Sequence, residues 1–175
     1  MKSGMVSLRR VWAVLAVALG TVLAVQPLSA QTSGGRPRSS TVPIELLSHP
    51  LREKPRRMLH KALEAMNTGN HEAAIPQLQE VLAKYPDAAY YAHSLLGFAY
   101  MKTSQFELSV DSFEKALRIV PHDATNHYDL GVSLVSAGIY DRGEEEVRRA
   151  LELDPNNDTA KSLLLALPRI RQARR

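Results

Sequence analysis

The stretch HSLLGFAY, residues 93–100, decides the fold, because a related stretch, HYDLGVSL, follows at residues 127–134. In both stretches a Leu-Gly pair begins three residues after a histidine, and the two glycines, Gly97 and Gly131, lie 34 residues apart. Pro121 and Pro155 have the same separation. A fixed period of this length is the signature of a repeat architecture.

The residues between these landmarks have the periodicity of amphipathic helices. After Pro55, apolar residues recur at every third or fourth position, as in the run Phe106, Val110, Phe113 and Leu117. Short turn segments at residues 68–70, 103–105 and 137–138 interrupt the runs. Two helices per period predict an all-α array of helical hairpins, which buries a continuous core once about three hairpins are stacked.

The chain resembles the tetratricopeptide repeat family, whose motif is W-x2-L-G-x2-Y, then A-x3-F, then P. The middle copy matches best, at Leu96-Gly97, Tyr100, Phe113 and Pro121, with His93 in place of the tryptophan. The resemblance covers about residues 55–157. It implies a right-handed superhelical array of three hairpins followed by a C-terminal capping helix. The repeat positions that it implies are Ala62, Leu96, Gly97, Tyr100, Phe113, Ala116, Pro121, Leu130, Gly131, Ala150 and Pro155.

This interpretation divides the chain into consecutive segments. They are a signal peptide at 1–30, a flexible linker and transition at 31–54, repeats at 55–88, 90–123 and 124–157, a capping helix at 158–168 and a basic tail at 169–175.

Residues 1–30 have the layout of a secretory signal. Basic residues at the start precede the uncharged run 11–25, and Ala30 supplies a small residue before the predicted cleavage point. The run is shorter than the roughly 20 residues that span a bilayer, so we predict that the leader is removed and that the mature chain begins at Gln31. We therefore expect a periplasmic or secreted bacterial protein. The alternative is an inner-membrane protein in which residues 11–25 remain as an anchor.

Composition narrows the function classes. The chain has 22 Lys and Arg against 18 Asp and Glu, and three of the basic residues belong to the leader, so the rest is close to neutral and we expect no nucleic-acid partner. The absence of cysteine excludes disulfides and thiolate metal sites. A membrane contact is expected only if the leader is retained.

The sequence contains no catalytic motif of the hydrolase, zinc-protease, P-loop or dinucleotide-binding kind, so we predict that the protein is not an enzyme and needs no cofactor. His93 and His127 occupy equivalent places in neighbouring repeats and invite a metal-site interpretation. No carboxylate or third histidine stands beside them at helical spacing, so we predict that each fills the family's tryptophan position and binds no metal.

The resemblance implies that the inner face of each first helix forms a groove for a peptide. The residues predicted to contact a partner are Leu59, Leu63, Met66, Tyr91, Ser94, Phe98, Met101, Lys102, Thr125, Tyr128, Val132 and Val135. Because this set is aromatic and apolar, it suits an extended or helical peptide. Alternatively, a neighbouring helix or residues 44–54 cover the strip.

The function predicted from the sequence is a non-catalytic protein–protein interaction module, an adaptor or scaffold. Its partner would be a protein, a peptide or a second copy of the chain. The alternative is a membrane-anchored envelope scaffold or assembly factor in which residues 11–25 are the anchor.

Overall fold

The computed structural model describes residues 51–173, in which every regular element is helical. The predicted all-α repeat array is confirmed. The elements are α1 (Glu53–Asn67), α2 (His71–Lys84), a 3-10 helix (Pro86–Ala88), α3 (Ala89–Lys102), α4 (Phe106–Ile119), α5 (Ala124–Ser136), α6 (Tyr140–Leu153) and α7 (Asp158–Ala173). The predicted leader, residues 31–50 and the last two residues lie outside this range, so the predictions for them stay predictions.

Each hairpin closes with the same turn. Gly69, Ser104 and Gly138 occupy equivalent places and all have a left-handed backbone, with φ of 82°, 62° and 86°. The backbone amide of the residue after each of these three donates to a carbonyl in the last turn of the preceding helix, as Gln105 N does to Tyr100 O at 2.8 Å. This arrangement satisfies the carbonyls that a helix end leaves free, and glycine favours it because it has no Cβ.

In the second and third hairpins the two helices cross at a glycine, where there is no space for a side chain. A Cβ atom at Gly97 would lie 2.8 Å from the ring of Phe113, and one at Gly131 would lie 2.5 Å from Val147 Cγ2. Ala62, at the equivalent place in the first hairpin, is fully buried. Close packing at these crossings explains why the sequence repeats a small residue there.

The other repeat positions form the core or follow helix ends. Pro121 and Pro155 are exposed and lie just beyond α4 and α6. The positions that are buried are Leu96, Tyr100, Phe113, Ala116, Leu130 and Ala150.

The predicted start of the first repeat is two residues late. Helix α1 begins at Glu53 rather than Pro55, and Leu51 before it is already buried in the core. The carbonyl oxygen of Leu51 accepts a hydrogen bond from Arg56 Nη2 at 3.5 Å. Residues 51–54, predicted as the end of the linker and transition, therefore belong to the folded unit.

The predicted end of the capping helix at Pro168 is wrong, because α7 continues to Ala173. Pro168 is exposed, and the helical turn that follows it is stabilised by contacts to another helix. Arg171 donates to Asp141 Oδ1 at 2.6 Å and to Glu144 Oε2 at 3.2 Å. These contacts to α6 compensate for the backbone hydrogen bond that proline removes. Within residues 51–173, none of the helices has the length and apolar character that a bilayer crossing requires.

Candidate partner-binding face

The first helices of the three hairpins line one face of the array. Helix α1 contacts α3, and α3 contacts α5, while each second helix packs between the first helix of its own hairpin and that of the next. The inner face is therefore built from α1, α3 and α5, the helices on which the sequence places the groove. The residues on these helices differ greatly in how much of their side chains they expose.

The part of the predicted groove on α1 is core. Leu59 is fully buried, and Leu63 and Met66 are buried in the same apolar cluster as Leu51 and Tyr91. Leu59 has no accessible surface, and Leu63 and Met66 keep only 8% and 6% of theirs, so the structure gives the prediction of these three α1 residues as partner contacts no support. Helical register predicts which side chains share a face, but how deeply that face is buried depends on neighbouring elements.

Phe98 is also covered, with 8% of its surface exposed. The edge of the His71 ring meets it at a centroid distance of 6.0 Å, and Lys102 Nζ lies 5.0 Å from its centroid. Burial, together with the positive charge of Lys102, lowers the pKa of His71. Phe98 thus joins α2 to α3, and the structure gives its prediction as a partner contact no support.

Three further predicted contacts are buried between helices. Val135 is enclosed, and Tyr91 packs edge-on against Tyr90 at 5.0 Å, where burial raises the pKa of Tyr91. Ser94 is almost completely buried and accepts a hydrogen bond from Asn126 Nδ2 at 2.7 Å. The structure therefore uses these three side chains for packing between helices and gives their prediction as partner contacts no support.

The remaining predicted residues stay accessible, two at the end of α3 and three along α5. Met101, Thr125, Tyr128 and Val132 are half-buried, and Lys102 is exposed. We refer to these five residues as the α3–α5 strip. Lys102 has no ion pair within 4 Å among the described residues, although it lies over the Phe98 ring. The strip is amphipathic, and burial raises the pKa of Tyr128 within it.

A buried polar layer lies between repeats two and three. Asp123 caps α5 by accepting the Asn126 amide hydrogen bond at 3.0 Å, and it also accepts a hydrogen bond from the Tyr90 hydroxyl. Further along, Ser109 donates to the carbonyl of Gly97 at 2.7 Å and lies 2.8 Å from the hydroxyl of Ser133. Polar groups at both ends of this layer are therefore satisfied across the helices, as burial requires.

Asp129 lies in the middle of that layer and is 2% exposed. Its Oδ1 has no hydrogen-bond partner in the described structure. Burial raises the pKa of Asp129 to about 8; the charge of Asp123 adds to the effect and that of Lys102 opposes it. Sequence reasoning missed this residue. The available signal was its place 34 residues after Leu95, where the previous repeat has an apolar core residue.

The two equivalent histidines have different surroundings. His127 Nδ1 lies 2.7 Å from Glu146 Oε2, and its Nε2 lies 3.0 Å from the carbonyl oxygen of Pro121. His93 is half-buried, and burial and then the charge of Lys115 lower its pKa. Glu146 could not be expected from spacing because it comes from another helix. Residues 51–173 contain no group of three side chains that could hold a metal ion.

Residues 59–124 and 94–158 each match the family model described as Tetratricopeptide repeat, and together the matches span more than half of the chain. The chain belongs to the tetratricopeptide repeat family. The repeats of this family are generally non-catalytic protein-interaction modules. Tetratricopeptide repeat (TPR) domains bind protein or peptide partners.

Known relatives agree with this assignment. The chain is 27% identical over 103 residues to small glutamine-rich tetratricopeptide repeat-containing protein 2 of Mycosarcoma maydis, a match that covers 59% of this chain and 29% of that protein. It is similar to an O-GlcNAc transferase mutant of Thermobaculum terrenum, with 30% identity, a TM-score of 0.60 and coverage of 67% and 24%. The chain spans less than a third of the curated relatives it matches.

A third similarity is to the first TPR of Spaghetti (RPAP3), solved with the HSP90 peptide SRMEEVD bound. The TM-score is 0.64 at 17% identity, and the match covers 69% of this chain and 95% of that one. At this identity the likeness establishes a shared fold.

Proposed function

We propose that this TPR protein is a non-catalytic adaptor that binds an extended peptide segment of a protein partner along the α3–α5 strip. The observation that carries the proposal is the contrast in exposure along the inner face. The predicted contacts on α1 are buried, whereas all five residues of the strip keep accessible surface. An amphipathic strip with accessible apolar side chains suits a peptide partner.

The chemistry of the strip suggests the character of the peptide. Met101 and Val132 offer apolar contacts, and Tyr128 combines an apolar ring with a polar tip. Lys102 is exposed at one end of the strip and supplies a positive charge that has no ion pair within 4 Å among residues 51–173. We therefore propose a segment with apolar side chains for the centre and an acidic side chain for Lys102, since charge complementarity favours association and orientation.

Site-specific photo-crosslinking in the native host tests this proposal. A photoreactive amino acid would replace Met101 or Val132 in the strip, and Leu108 or Ile119 on α4 as controls, since those two side chains are 47% and 51% exposed. We expect both strip positions to give the same crosslinked product and the α4 positions to give none of that product. Equal yields of that product from α4 would overturn the proposal, and a product of twice the chain mass would identify the partner as a second copy.

We further propose that the protein is exported, because its leader combines a basic start, an uncharged run and a small residue before the cleavage point. N-terminal sequencing of the protein from the envelope and the medium tests this proposal. A first residue of Gln31 supports cleavage. An intact leader on membrane-bound protein would instead favour the anchored envelope scaffold.

A further inference from the structure

The two junctions between repeats have opposite chemistry. Where α3 faces the first repeat, it buries a small apolar set. Those residues are Ala92, Leu95 and Ala99. The residues of α5 at the equivalent places, 34 positions later, are all polar and all buried. They are Asn126, Asp129 and Ser133. The first junction is therefore sealed by apolar packing and the second by a polar layer.

This polar layer is satisfied at its ends but not at its centre. Asn126 donates to Ser94 at 2.7 Å, and Ser133 lies 2.8 Å from Ser109 of α4. Between them, Asp129 Oδ1 has no partner among the described residues. A carboxyl group in such a place is tolerated as a neutral acid, whereas an ionised carboxylate without a partner is costly to bury.

We propose that the junction between the second and third repeats is a proton-dependent hinge. It stays closed while Asp129 is a neutral carboxylic acid, and it loosens when that carboxyl ionises. Because the stability of a repeat array is approximately a sum of unit and junction terms, loosening one junction releases the units beyond it. Those units are the third hairpin and the capping helix α7. The inference does not depend on the proposed function.

The charged groups around Asp129 agree with this assignment. Asp123, at the start of the same helix, raises the pKa of Asp129, and Lys102 from α3 lowers it by a smaller amount than burial raises it. From α4, the polar side chain that reaches α5 is the neutral Ser109. From α6, Glu146 reaches α5 but binds His127. Tyr128, also on α5, is neutral throughout the relevant range because its pKa is raised.

The sign of the pH effect follows from proton binding. With the junction closed, the pKa of Asp129 is about 8, above the value of 3.8 that it regains when exposed. The closed form therefore binds more protons, and closure weakens as pH rises from about 4 to about 8 and then levels off. A difference of one proton corresponds to about a tenfold change in the closing equilibrium per pH unit.

Amide hydrogen exchange of the full chain at pH 5 and pH 7, corrected for the intrinsic exchange rates, tests the hinge. We expect the protection of α5–α7, relative to that of α1–α3, to fall about 100-fold between the two pH values. Asp129→Asn should remove this fall, because the amide cannot ionise. Asp87→Asn, which changes an exposed carboxyl in the 3-10 helix, should behave as the wild type.

Two results would overturn the proposal. One is a wild-type protection ratio that does not change with pH, and the other is an Asp129→Asn variant that keeps the wild-type fall. If Asp129→Asn does not fold, Asp129→Leu, which copies Leu95 of the apolar junction, is measured instead. It must also show a pH-independent ratio, or the hinge is rejected.

Discussion

At the residue scale, the sequence predicts the place of a residue in the repeat better than it predicts how deeply its side chain is buried. Gly97 and Gly131 recur at a fixed interval, and the structure gives each a close helix crossing. Phe98 lies on the predicted face, yet it is covered by His71 of α2, a contact that helical spacing cannot predict, and by Lys102, its neighbour one turn further along α3. Asp129 was missed although the repeat period places it 34 residues after Leu95, at an apolar core position of the previous repeat.

The crossing at Gly97 can be tested by adding a single methyl group. We expect Gly97→Ala to lower the free energy of unfolding by about 1–3 kcal/mol, because the added Cβ overpacks against the Phe113 ring. Urea denaturation followed by circular dichroism measures the change. The matched controls are Phe113→Leu alone and the double variant that combines it with Gly97→Ala. If the double variant loses less stability than the two single variants together, the contact is confirmed; strictly additive losses would place the ring elsewhere.

Phe98 and Val132 separate core from partner contacts. We expect Phe98→Ala to cost about 3–5 kcal/mol in unfolding free energy, because it removes a covered ring. Val132→Ala should cost less than about 1 kcal/mol, since its side chain already meets solvent. Chemical denaturation of both variants gives the comparison. Equal and small losses of unfolding free energy in the two variants would instead indicate that Phe98 is an accessible groove residue.

At the element scale, the sequence predicts helices and turns well where proline and glycine act locally. The 3-10 helix Pro86–Ala88 absorbs the extra residue that makes the spacing from Pro86 to Pro121 one residue longer than the repeat. Pro168 misled the prediction of the end of α7, because contacts from Arg171 to α6 stabilise the turn beyond it. Tertiary contacts therefore overrode a local signal that works elsewhere in the chain.

The three hairpin turns predict a stabilising substitution. Ser104 has a φ of 62°, whereas glycine occupies the two equivalent positions. We expect Ser104→Gly to raise the free energy of unfolding by about 1 kcal/mol, because a side chain is strained in the left-handed region. Ser162→Gly, in the interior of α7, should instead lower it by a similar amount. Thermal and urea unfolding would show the opposite signs, and a loss at Ser104 would contradict the strain.

At the scale of the whole molecule, the array is predictable from the sequence because the period, the crossings and the turns indicate the same architecture. The accessible part of the inner face was not predictable, because the first repeat contributes its inner residues to the core. Because those α1 residues are buried, the α3–α5 strip is the surface on which we propose that a partner binds. The remaining question for function is therefore which of two exposed apolar surfaces, the strip or α4, makes the contact.

The affinity of the partner captured through Met101 tests this claim most directly. It would be measured by titration calorimetry with the wild type, Val132→Asp in the strip and Leu108→Asp on α4, each folded by circular dichroism. Val132→Asp should weaken binding at least tenfold, about 1.4 kcal/mol, while Leu108→Asp stays within about twofold of the wild type. Unchanged affinity for Val132→Asp, with loss for Leu108→Asp, would contradict the account and place the partner on α4.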